Sequence, residues 1–206
     1  MTASPTTPVP PDSPAPVRAH KGRGAASNPE GRFESIRHHA EDDGWQSALL
    51  DEDAPRPQTC VTEERARSVI SRNDSPDIAF SQAINPYRGC EHGCIYCFAR
   101  PSHSYLNLSP GLDFETKLRA KGNFAEVLRA ELAKPGYVVS PINIGSNTDP
   151  YQPIEKRWRL TRAALELLAE CHHPCTIVTK NALVERDLDI LVPMAREQLV
   201  QVFVSV

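Results

Sequence analysis

Residues 85–105 read NPYRGCEHGCIYCFARPSHSY, and the rest of the chain is interpreted outward from this stretch. Its three cysteines, Cys90, Cys94 and Cys97, have the spacing C-x3-C-x2-C, with Tyr96 immediately before the third. Thiolates so close in sequence can converge on one metal centre from a single loop. A closed structural zinc site takes four protein ligands, and a [4Fe–4S] cluster normally takes four cysteines. Three thiolates therefore predict an iron–sulfur cluster with one iron left open.

This spacing, with an aromatic residue before the third cysteine, resembles the signature of the radical S-adenosylmethionine (radical SAM) superfamily. The resemblance implies that Cys90, Cys94 and Cys97 ligate three irons of a [4Fe–4S] cluster, that SAM chelates the fourth, and that Tyr96 lies beside the adenine. It implies an enzyme that reductively cleaves SAM to a 5′-deoxyadenosyl radical and abstracts hydrogen from an unknown substrate. The cofactor then carries the chemistry, while the chain fixes the geometry and excludes water. A flavodoxin- or ferredoxin-like electron donor is implied as a partner.

Longer stretches resemble one branch of that superfamily, the proteins related to spore photoproduct lyase and often described as DNA-repair-photolyase-like. The stretches are SPDIAFSQAINPYRGCEHGCIYCFARPSHSYLNLSPGLDFETKL, GSNTDPYQPIEKRWRLTRAALELL and TIVTKN. The segment RGAASNPEGRFES, residues 23–35, indicates one group within the branch. Damaged DNA is thereby a candidate substrate. The lyase also uses a radical-relaying cysteine late in its chain, in a region absent here, so a DNA-repair role is neither supported nor excluded.

Further cofactor contacts are implied by the same resemblance. The segment GSNTDPYQP, residues 145–153, follows the second predicted strand, where the superfamily binds the amino group of SAM. Ser146, Thr148 and Asp149 are candidates, with Thr148 and Asp149 preferred, because hydroxyl and carboxylate oxygens accept from an ammonium. An Asx-type turn before proline is the structural alternative. Lys180, in TIVTKN, and Ser205, on the last strand, are candidates for contacts to the carboxylate or ribose of SAM.

Composition and charge narrow the class of protein. The chain has 206 residues, of which 40% are hydrophobic and 24% charged, as is ordinary for one globular domain with a tail. The net charge of −3 argues against a wholly basic nucleic-acid surface but leaves room for a local patch. No apolar run is long enough to span a bilayer. Six cysteines, three of them in one loop, suit a reducing, cytoplasmic setting.

Two domains are predicted: a disordered or flexible N-terminal arm, residues 1–58, and a radical SAM core, residues 59–206. The first 22 residues are rich in proline, serine, threonine and alanine, a composition that cannot form a core. Basic residues between Arg18 and His39 indicate either a solvated arm or a contact to phosphate. An acidic run from Glu41 to Asp53 follows, which leaves nucleic acid a minor alternative.

The core is predicted to be α/β. Strands are expected at 78–84, 137–144, 176–179 and 200–206, and the helices between them make a parallel sheet the expected architecture. Residues 60–73 are ambiguous and residues 113–121 irregular or extended. Asn123 is the predicted N-cap of the first of these helices, with Glu126 as its capping-box partner. Apolar stripes at helical spacing are expected on the second helix (Leu160, Ala164, Leu167 and Leu168) and on the third (Leu188, Leu191, Val192 and Ala195). By resemblance, the fold is an incomplete partial (βα) barrel of about four of six units, and the chain is expected to be C-terminally truncated.

Rival interpretations stay open. One is a non-catalytic iron–sulfur or zinc module in which Cys60 or His92 supplies the fourth ligand, although Cys60 is expected to be a buried small hydrophobe. Another is a thiol oxidoreductase that uses Cys94 and Cys97, since C-x-x-C pairs are often redox-active.

A cysteine–histidine segment and four single residues close to the cysteine loop also have to be assigned. The segment Cys171-His172-His173-Pro174-Cys175 suggests a second metal site, but it is interpreted as the end of a helix and a buried strand start. His92 and His103 are expected beside the cluster or exposed. Arg88 and Arg100 are expected either to stabilise the reduced cluster or to bond loop carbonyls.

Overall fold

The computed structural model describes residues 23–30 and 57–205, which form a mixed α/β fold. In chain order the strands are β1 (Cys60–Glu64), β2 (Ile70–Arg72), β3 (Gln82–Ile84), β4 (Tyr87–Arg88), β5 (Lys117–Lys121), β6 (Ile142–Ile144), β7 (Cys175–Thr179) and β8 (Val200–Val204). The α-helices are α1 (Leu112–Thr116), α2 (Phe124–Leu132), α3 (Glu155–Trp158), α4 (Leu160–Glu170) and α5 (Leu188–Arg196). Short 3₁₀ helices span Arg100–Leu106 and Ala182–Asp187.

The larger sheet contains the four predicted strands, and it runs in the order β2-β3-β6-β7-β8. Strands β3, β6, β7 and β8 are parallel neighbours, while β2 is antiparallel to β3. Ile144 pairs with both Ile84 and Ile177, and these three isoleucines are fully buried side by side. The α/β class and the parallel order of the predicted strands are confirmed.

The helices bury the faces that their periodicity predicts, except in α5. Helix α2 buries Phe124 and Leu128, and α4 buries its whole predicted stripe, Leu160, Ala164, Leu167 and Leu168. In α5 the predicted stripe of Leu188, Leu191, Val192 and Ala195 is wrong except for Leu191, because Met194 takes the second buried position. Helix α5 packs against α4 and β8, and only Leu191 and Met194 on this helix are buried.

Several predicted bounds are corrected. Strands β3 and β6 are much shorter than the predicted 78–84 and 137–144, and the apolar Val138 and Val139 are exposed. The ambiguous 60–73 contains β1 and β2, and 113–121 contains most of α1 and all of β5. Asn123 is the N-cap residue of α2, as predicted, but its side chain makes no capping hydrogen bond, so the predicted capping box with Glu126 is not formed. Asn123 instead exchanges two hydrogen bonds with the Ala66 backbone, at 2.8 and 2.9 Å, so a tertiary partner has taken its amide.

A second sheet, ordered β1-β5-β4, carries the start of the cysteine loop. Strand β1 is parallel to β5, and β4 is antiparallel to it. Tyr87 of β4 is fully buried with Ala120 and Leu160, and its hydroxyl donates to Glu155. The strand that precedes Cys90 is therefore fixed by core packing.

Part of the predicted flexible arm is bound to the core, which corrects the boundary at residue 58. Arg23 donates to the carbonyl of Glu115 at 2.9 Å and to the Thr59 hydroxyl at 2.9 Å. Asn28 exchanges two hydrogen bonds with Asp113, at 3.0 and 2.9 Å. Residues 1–22 and 31–56, the remainder of the predicted arm, lie outside the described residues. No helix in the described ranges is long and apolar enough to cross a membrane.

Candidate functional site

The cysteine loop begins after β4 and requires glycine at two positions. Gly89 has φ +77°, and a Cβ there would lie 2.6 Å from Leu118 Cδ2. Gly93 has φ +61°, and a Cβ there would lie 2.8 Å from Glu115 Oε2. Side chains rarely adopt this backbone conformation and would also collide with the floor of the loop. Gly89, just before the first cysteine, and Gly93, between the first two, thus allow the loop to lie directly on β5 and α1.

Two long-range side chains hold the backbone of the loop. Gln152 is fully buried; it donates to the Gly89 carbonyl and accepts from the Glu91 N–H, both at 3.1 Å. Arg100 donates through Nε and Nη2 to the Cys94 carbonyl at 3.1 and 2.9 Å. Of the two roles expected for Arg100, the bonds to loop carbonyls are confirmed. The loop is therefore shaped by protein contacts that need no metal.

Glu115 joins the N-terminal segment to the same loop. Its carboxylate is fully buried and accepts from Arg100 at 2.5 Å and from the N–H groups of Gly24 and Ala25 at 3.1 and 2.9 Å. A buried carboxylate is tolerated only when it is paired and hydrogen-bonded in this way. Residues of the RGAAS segment thus form part of the support beneath the cysteine loop.

The carboxyl ends of the parallel strands meet the cysteine loop around one cavity of about 180 Å³. This cavity is lined by every residue predicted to bind the cluster or SAM: Cys90, Cys94, Tyr96, Cys97, Ser146, Thr148, Asp149, Lys180 and Ser205. The convergence has a topological cause, since loops that follow adjacent parallel strands lie at the same edge of a sheet. Ligands of α/β sheets bind outside that edge.

The loop after β6 is held by Asn85, at the end of β3. The Asn85 side chain accepts from the N–H groups of Asn147 and Thr148 at 2.9 and 3.2 Å and donates to Ser146 Oγ at 3.1 Å. Thr148 is 2% exposed, and its hydroxyl donates to the Tyr87 carbonyl at 3.2 Å. Thr148 therefore has an internal partner, while Ser146 carries the more available hydroxyl of the two.

Asp149 connects three elements around the cavity. Its carboxylate accepts from the Thr179 hydroxyl at 2.7 Å, from Lys180 N–H at 2.9 Å and from Tyr151 N–H at 2.8 Å, and it lies 3.3 Å from His92 Nε2. Burial raises the pKa of Asp149, but these donors outweigh it and hold the pKa below its ordinary value. With three donors on its two oxygens and His92 close by, Asp149 mainly connects the loops around the cavity.

Lys180 and Tyr96 meet at the rim of the cavity. Lys180 Nζ donates to Tyr96 Oη at 2.9 Å and lies 5.2 Å from the centre of its ring. Hydrogen bonds to Tyr96 and then to the Cys94 sulfur raise the pKa of Lys180. A charged ammonium is thereby placed beside one cluster cysteine and over the ring predicted to lie beside adenine.

The donor chemistry of the cavity fits an iron–sulfur cluster, although the side chains are not gathered into a ligand set. Cys90 is buried, and burial raises the pKa of its thiol to about 12; Cys94 and Cys97 are half-buried. Among residues 23–30 and 57–205, no three His, Cys, Asp or Glu side chains are close enough together to hold a metal ion. The three thiols face one cavity, but they are not close enough together to form a ligand set. The metal assignment therefore stays a prediction.

The other cysteines lie elsewhere. Cys60, expected to be buried, is exposed on β1, at the edge of the smaller sheet. Cys175 is buried at the start of β7, as expected, and Cys171 is exposed. His172 has φ +47°, and its backbone N–H donates to the Ala169 carbonyl at 3.1 Å. The backbone N–H of His173 donates to the Leu168 carbonyl at 2.9 Å. These two bonds make a Schellman motif, so the segment ends helix α4.

The remaining expected neighbours of the cluster have structural roles. His103 is buried, bonds the Lys117 carbonyl at 3.0 Å and packs edge-on against Phe114, so the expectation of exposure is wrong for it. His92 is half-buried against Asp149. Arg88 pairs with Glu64 at 2.9 Å on the surface.

The sequence analysis did not identify Asn85, Glu115 and Gln152. Their side chains hold the loops around the cavity in place. Asn85 and Gln152 stand inside the very stretches that carry the resemblance, NPYRGC and DPYQP. An amide that can donate and accept is suited to bracing a loop, and that signal was available. No local pattern marks Glu115, because two of the three partners of its carboxylate, Gly24 and Ala25, lie 91 and 90 residues away in sequence.

Known proteins that are similar to this chain in sequence are described as uncharacterized. An uncharacterized protein of Mycobacterium tuberculosis (strain ATCC 25618 / H37Rv) is 44% identical over 128 residues, which cover 62% of this chain and 38% of the relative. An uncharacterized protein of Methanocaldococcus jannaschii is 31% identical over 126 residues, covering 61% of this chain and 44% of the relative. The chain thus spans less than half the length of these curated relatives. No family model and no solved structure matches it.

Proposed function

We propose that this chain is the cofactor-binding part of a radical SAM enzyme, with its four parallel strands belonging to a partial (βα) barrel of that superfamily. The observation that carries the proposal is the convergence of all nine predicted cofactor residues on one cavity at the carboxyl edge of the sheet. The residues come from one cysteine loop and from the ends of three different strands. Residues so far apart in sequence converge there as a consequence of the fold, which the cysteine spacing alone does not require.

Within this proposal Cys90, Cys94 and Cys97 hold a [4Fe–4S] cluster, and the loops after β6, β7 and β8 hold SAM. When bound, the pair supplies an electron and a sulfonium whose reductive cleavage gives a 5′-deoxyadenosyl radical for hydrogen abstraction. A flavodoxin- or ferredoxin-like electron donor and a reducing, cytoplasmic setting belong to the same proposal.

The residues of the chain have separable tasks. Gln152 and Arg100 fix the path of the cysteine loop, so the thiols keep one arrangement around the cavity. Lys180 places a positive charge next to Cys94, where it favours a carboxylate of SAM and an anionic reduced cluster. Asn85 and Asp149 hold the loops after β6 and β7 against one another. The cavity is thus organised before a ligand enters.

The closed-module alternative has less support. Cys60 lies on the other sheet, and His92 is next to the Asp149 carboxylate. Cys60 therefore does not line the cavity that the thiols face. His92 does line it, with its Nε2 3.3 Å from the Asp149 carboxylate, so His92 is the one fourth ligand that this alternative retains. The thiol-oxidoreductase alternative leaves the loops after β6, β7 and β8 without a role.

Damaged DNA remains only the substrate that the resemblance suggests. Among the basic residues at 18–39 that were considered for phosphate contact, Arg23 lies in the described range, and its guanidinium is bonded to Glu115, Pro57 and Thr59 inside the protein. The contacts of Arg23 therefore give no support to a nucleic-acid role.

The proposal is tested by anaerobic reconstitution with iron and sulfide, reduction with dithionite and chromatography of the products formed from SAM. We expect methionine and 5′-deoxyadenosine from the wild type and neither from Cys94→Ala, while Cys171→Ala, a matched cysteine outside the cavity, behaves as the wild type. Equal product from Cys94→Ala and wild type would contradict the assignment.

A further inference from the structure

A second, larger cavity of about 890 Å³ adjoins the cofactor cavity and shares part of its wall, including Phe98, Ser146 and Asn147. Its volume lies in the range of small-molecule sites. The wall is mainly apolar, with Ile78 and Phe80 among its residues. A ligand in this space would lie directly beside the place proposed for SAM.

One cation on this wall, Lys121, has no ion-pair partner among the described residues, and Glu64, opposite it in register on β1, offsets its charge only in part. Lys121 is 9% exposed, and its Nζ donates to the Asn85 carbonyl at 2.6 Å. Among the described residues no carboxylate lies within ion-pair distance of it, whereas Arg88, on the same wall, is paired with Glu64. Burial and then the charge of Arg88 lower the pKa of Lys121 to about 8. A buried ammonium is costly unless an anion accompanies it.

An unused acceptor lies on the same wall. Asn143 is 5% exposed; its Nδ2 donates to the Thr176 hydroxyl at 3.0 Å, but its Oδ1 has no partner in the described part of the chain. A buried carbonyl oxygen without a donor costs free energy, and native proteins seldom leave one without a role. Two groups on the cavity wall therefore lack a partner: Lys121 lacks an anion, and Asn143 Oδ1 lacks a hydrogen-bond donor.

We propose that this cavity binds an organic anion, whose charged group pairs with Lys121, whose apolar body lies against Phe80 and Phe98, and whose N–H or O–H donates to Asn143. The inference deepens the proposed function by giving the chemical class of the substrate. It rests on the proposed function only in calling the ligand a substrate. Binding of the anion itself requires no cluster.

The probe is 8-anilinonaphthalene-1-sulfonate, which combines a sulfonate, an aromatic body and an N–H, with neutral N-phenyl-1-naphthylamine as its uncharged counterpart. Both are titrated by fluorescence into the full chain, before and after iron reconstitution. In Lys121→Met we expect at least about tenfold weaker sulfonate binding, the size of one lost charge-assisted hydrogen bond, with the neutral probe unchanged. Lys121→Arg should keep sulfonate affinity, and Lys156→Met, a lysine outside this wall, should match the wild type.

Arg88→Gln provides a variant on the exposed side of the cavity, and it should weaken sulfonate binding two- to fivefold without affecting the neutral probe. Phenyl phosphate and benzoate are then added as competitors, and displacement by either supports the site and shows which anionic group it prefers. Equal weakening of both probes, no loss in Lys121→Met and Arg88→Gln, or displacement by neither anion would overturn the inference. Anion binding in a chain that fails to bind iron would reject the proposed function while leaving this site standing.

Discussion

Two segments of the molecule place cysteine and histidine close together, and they have different surroundings. Residues 90–97 lie beyond the carboxyl ends of the parallel strands, and their three thiols line one cavity. Residues 171–175 lie at the amino end of β7, where one thiol is exposed, the other is buried in the sheet, and the histidines complete a helix end. Ligand types at close spacing thus indicate a site only where the fold provides a cavity for them.

The largest expected effect is on iron content, which separates the two segments directly. If the proposed cluster is present, Cys90→Ala, Cys94→Ala and Cys97→Ala should each reduce bound iron from about four atoms per chain to less than about one, because each removes one of its three thiolates. Iron and sulfide are measured after anaerobic reconstitution. Cys171→Ala and Cys175→Ala are the controls and should retain full content; a loss in either would revive the second metal site.

A smaller effect is expected from the support beneath the cysteine loop. Glu115→Gln leaves Arg100 without its buried partner and should lower the free energy of unfolding by about 3 kcal/mol, measured by denaturant titration. Glu166→Gln, which loses an exposed ion pair with Arg162, should change it by less than about 1 kcal/mol. Equal stabilities of the two variants would show that the loop does not depend on Glu115.

Thiol alkylation gives a third contrast. Iron loading should slow alkylation of Cys94 and Cys97 by about tenfold or more, because metal-bound thiolates are not free nucleophiles. The exposed Cys171 should react at one rate with or without iron. Cys175 should resist in both states, since burial raises the pKa of its thiol to about 12. Mass spectrometry of the alkylated peptides measures all four, and protection of Cys171 by iron would break the contrast.

The smallest effect is expected at Lys180. Its side chain is exposed, so Lys180→Met should change the free energy of unfolding by less than about 0.5 kcal/mol. It should nevertheless weaken SAM binding to the reconstituted protein about fivefold, because it removes the charge beside Cys94 and over Tyr96. Isothermal calorimetry measures the affinity, with Lys156→Met as the control. Unchanged SAM affinity would remove Lys180 from the site.

The sequence predicted the parts of the fold that follow from local pattern. The alternation of apolar strands and amphipathic helices correctly indicated four parallel strands in chain order and the buried stripe of α4. Strand lengths were overestimated because apolar residues such as Val138 and Val139 continue the run after sheet pairing has ended. The pairing of β1 with β5 joins residues such as Cys60 and Lys117, and no local pattern specifies a partner at that distance.

In the candidate site, too, the sequence predicts the residues with a local signal and not those that act through long-range contacts. The residues that line the cavity were found from motifs and from their positions after strands. The residues that hold them were missed, because Glu115 and Gln152 act through contacts that exist only once the chain is folded. Thr148 and Asp149 line the cavity, but their side-chain oxygens have internal partners, which the sequence does not indicate.

Electron paramagnetic resonance of the reconstituted, dithionite-reduced chain, with and without SAM, tests most directly whether the three cysteines hold an open cluster. We expect a [4Fe–4S]⁺ signal that changes its g-values when SAM is added, because three thiolates would leave one iron open to it. A signal that saturating SAM leaves unchanged would contradict the claim, as would a chain that binds zinc and no iron.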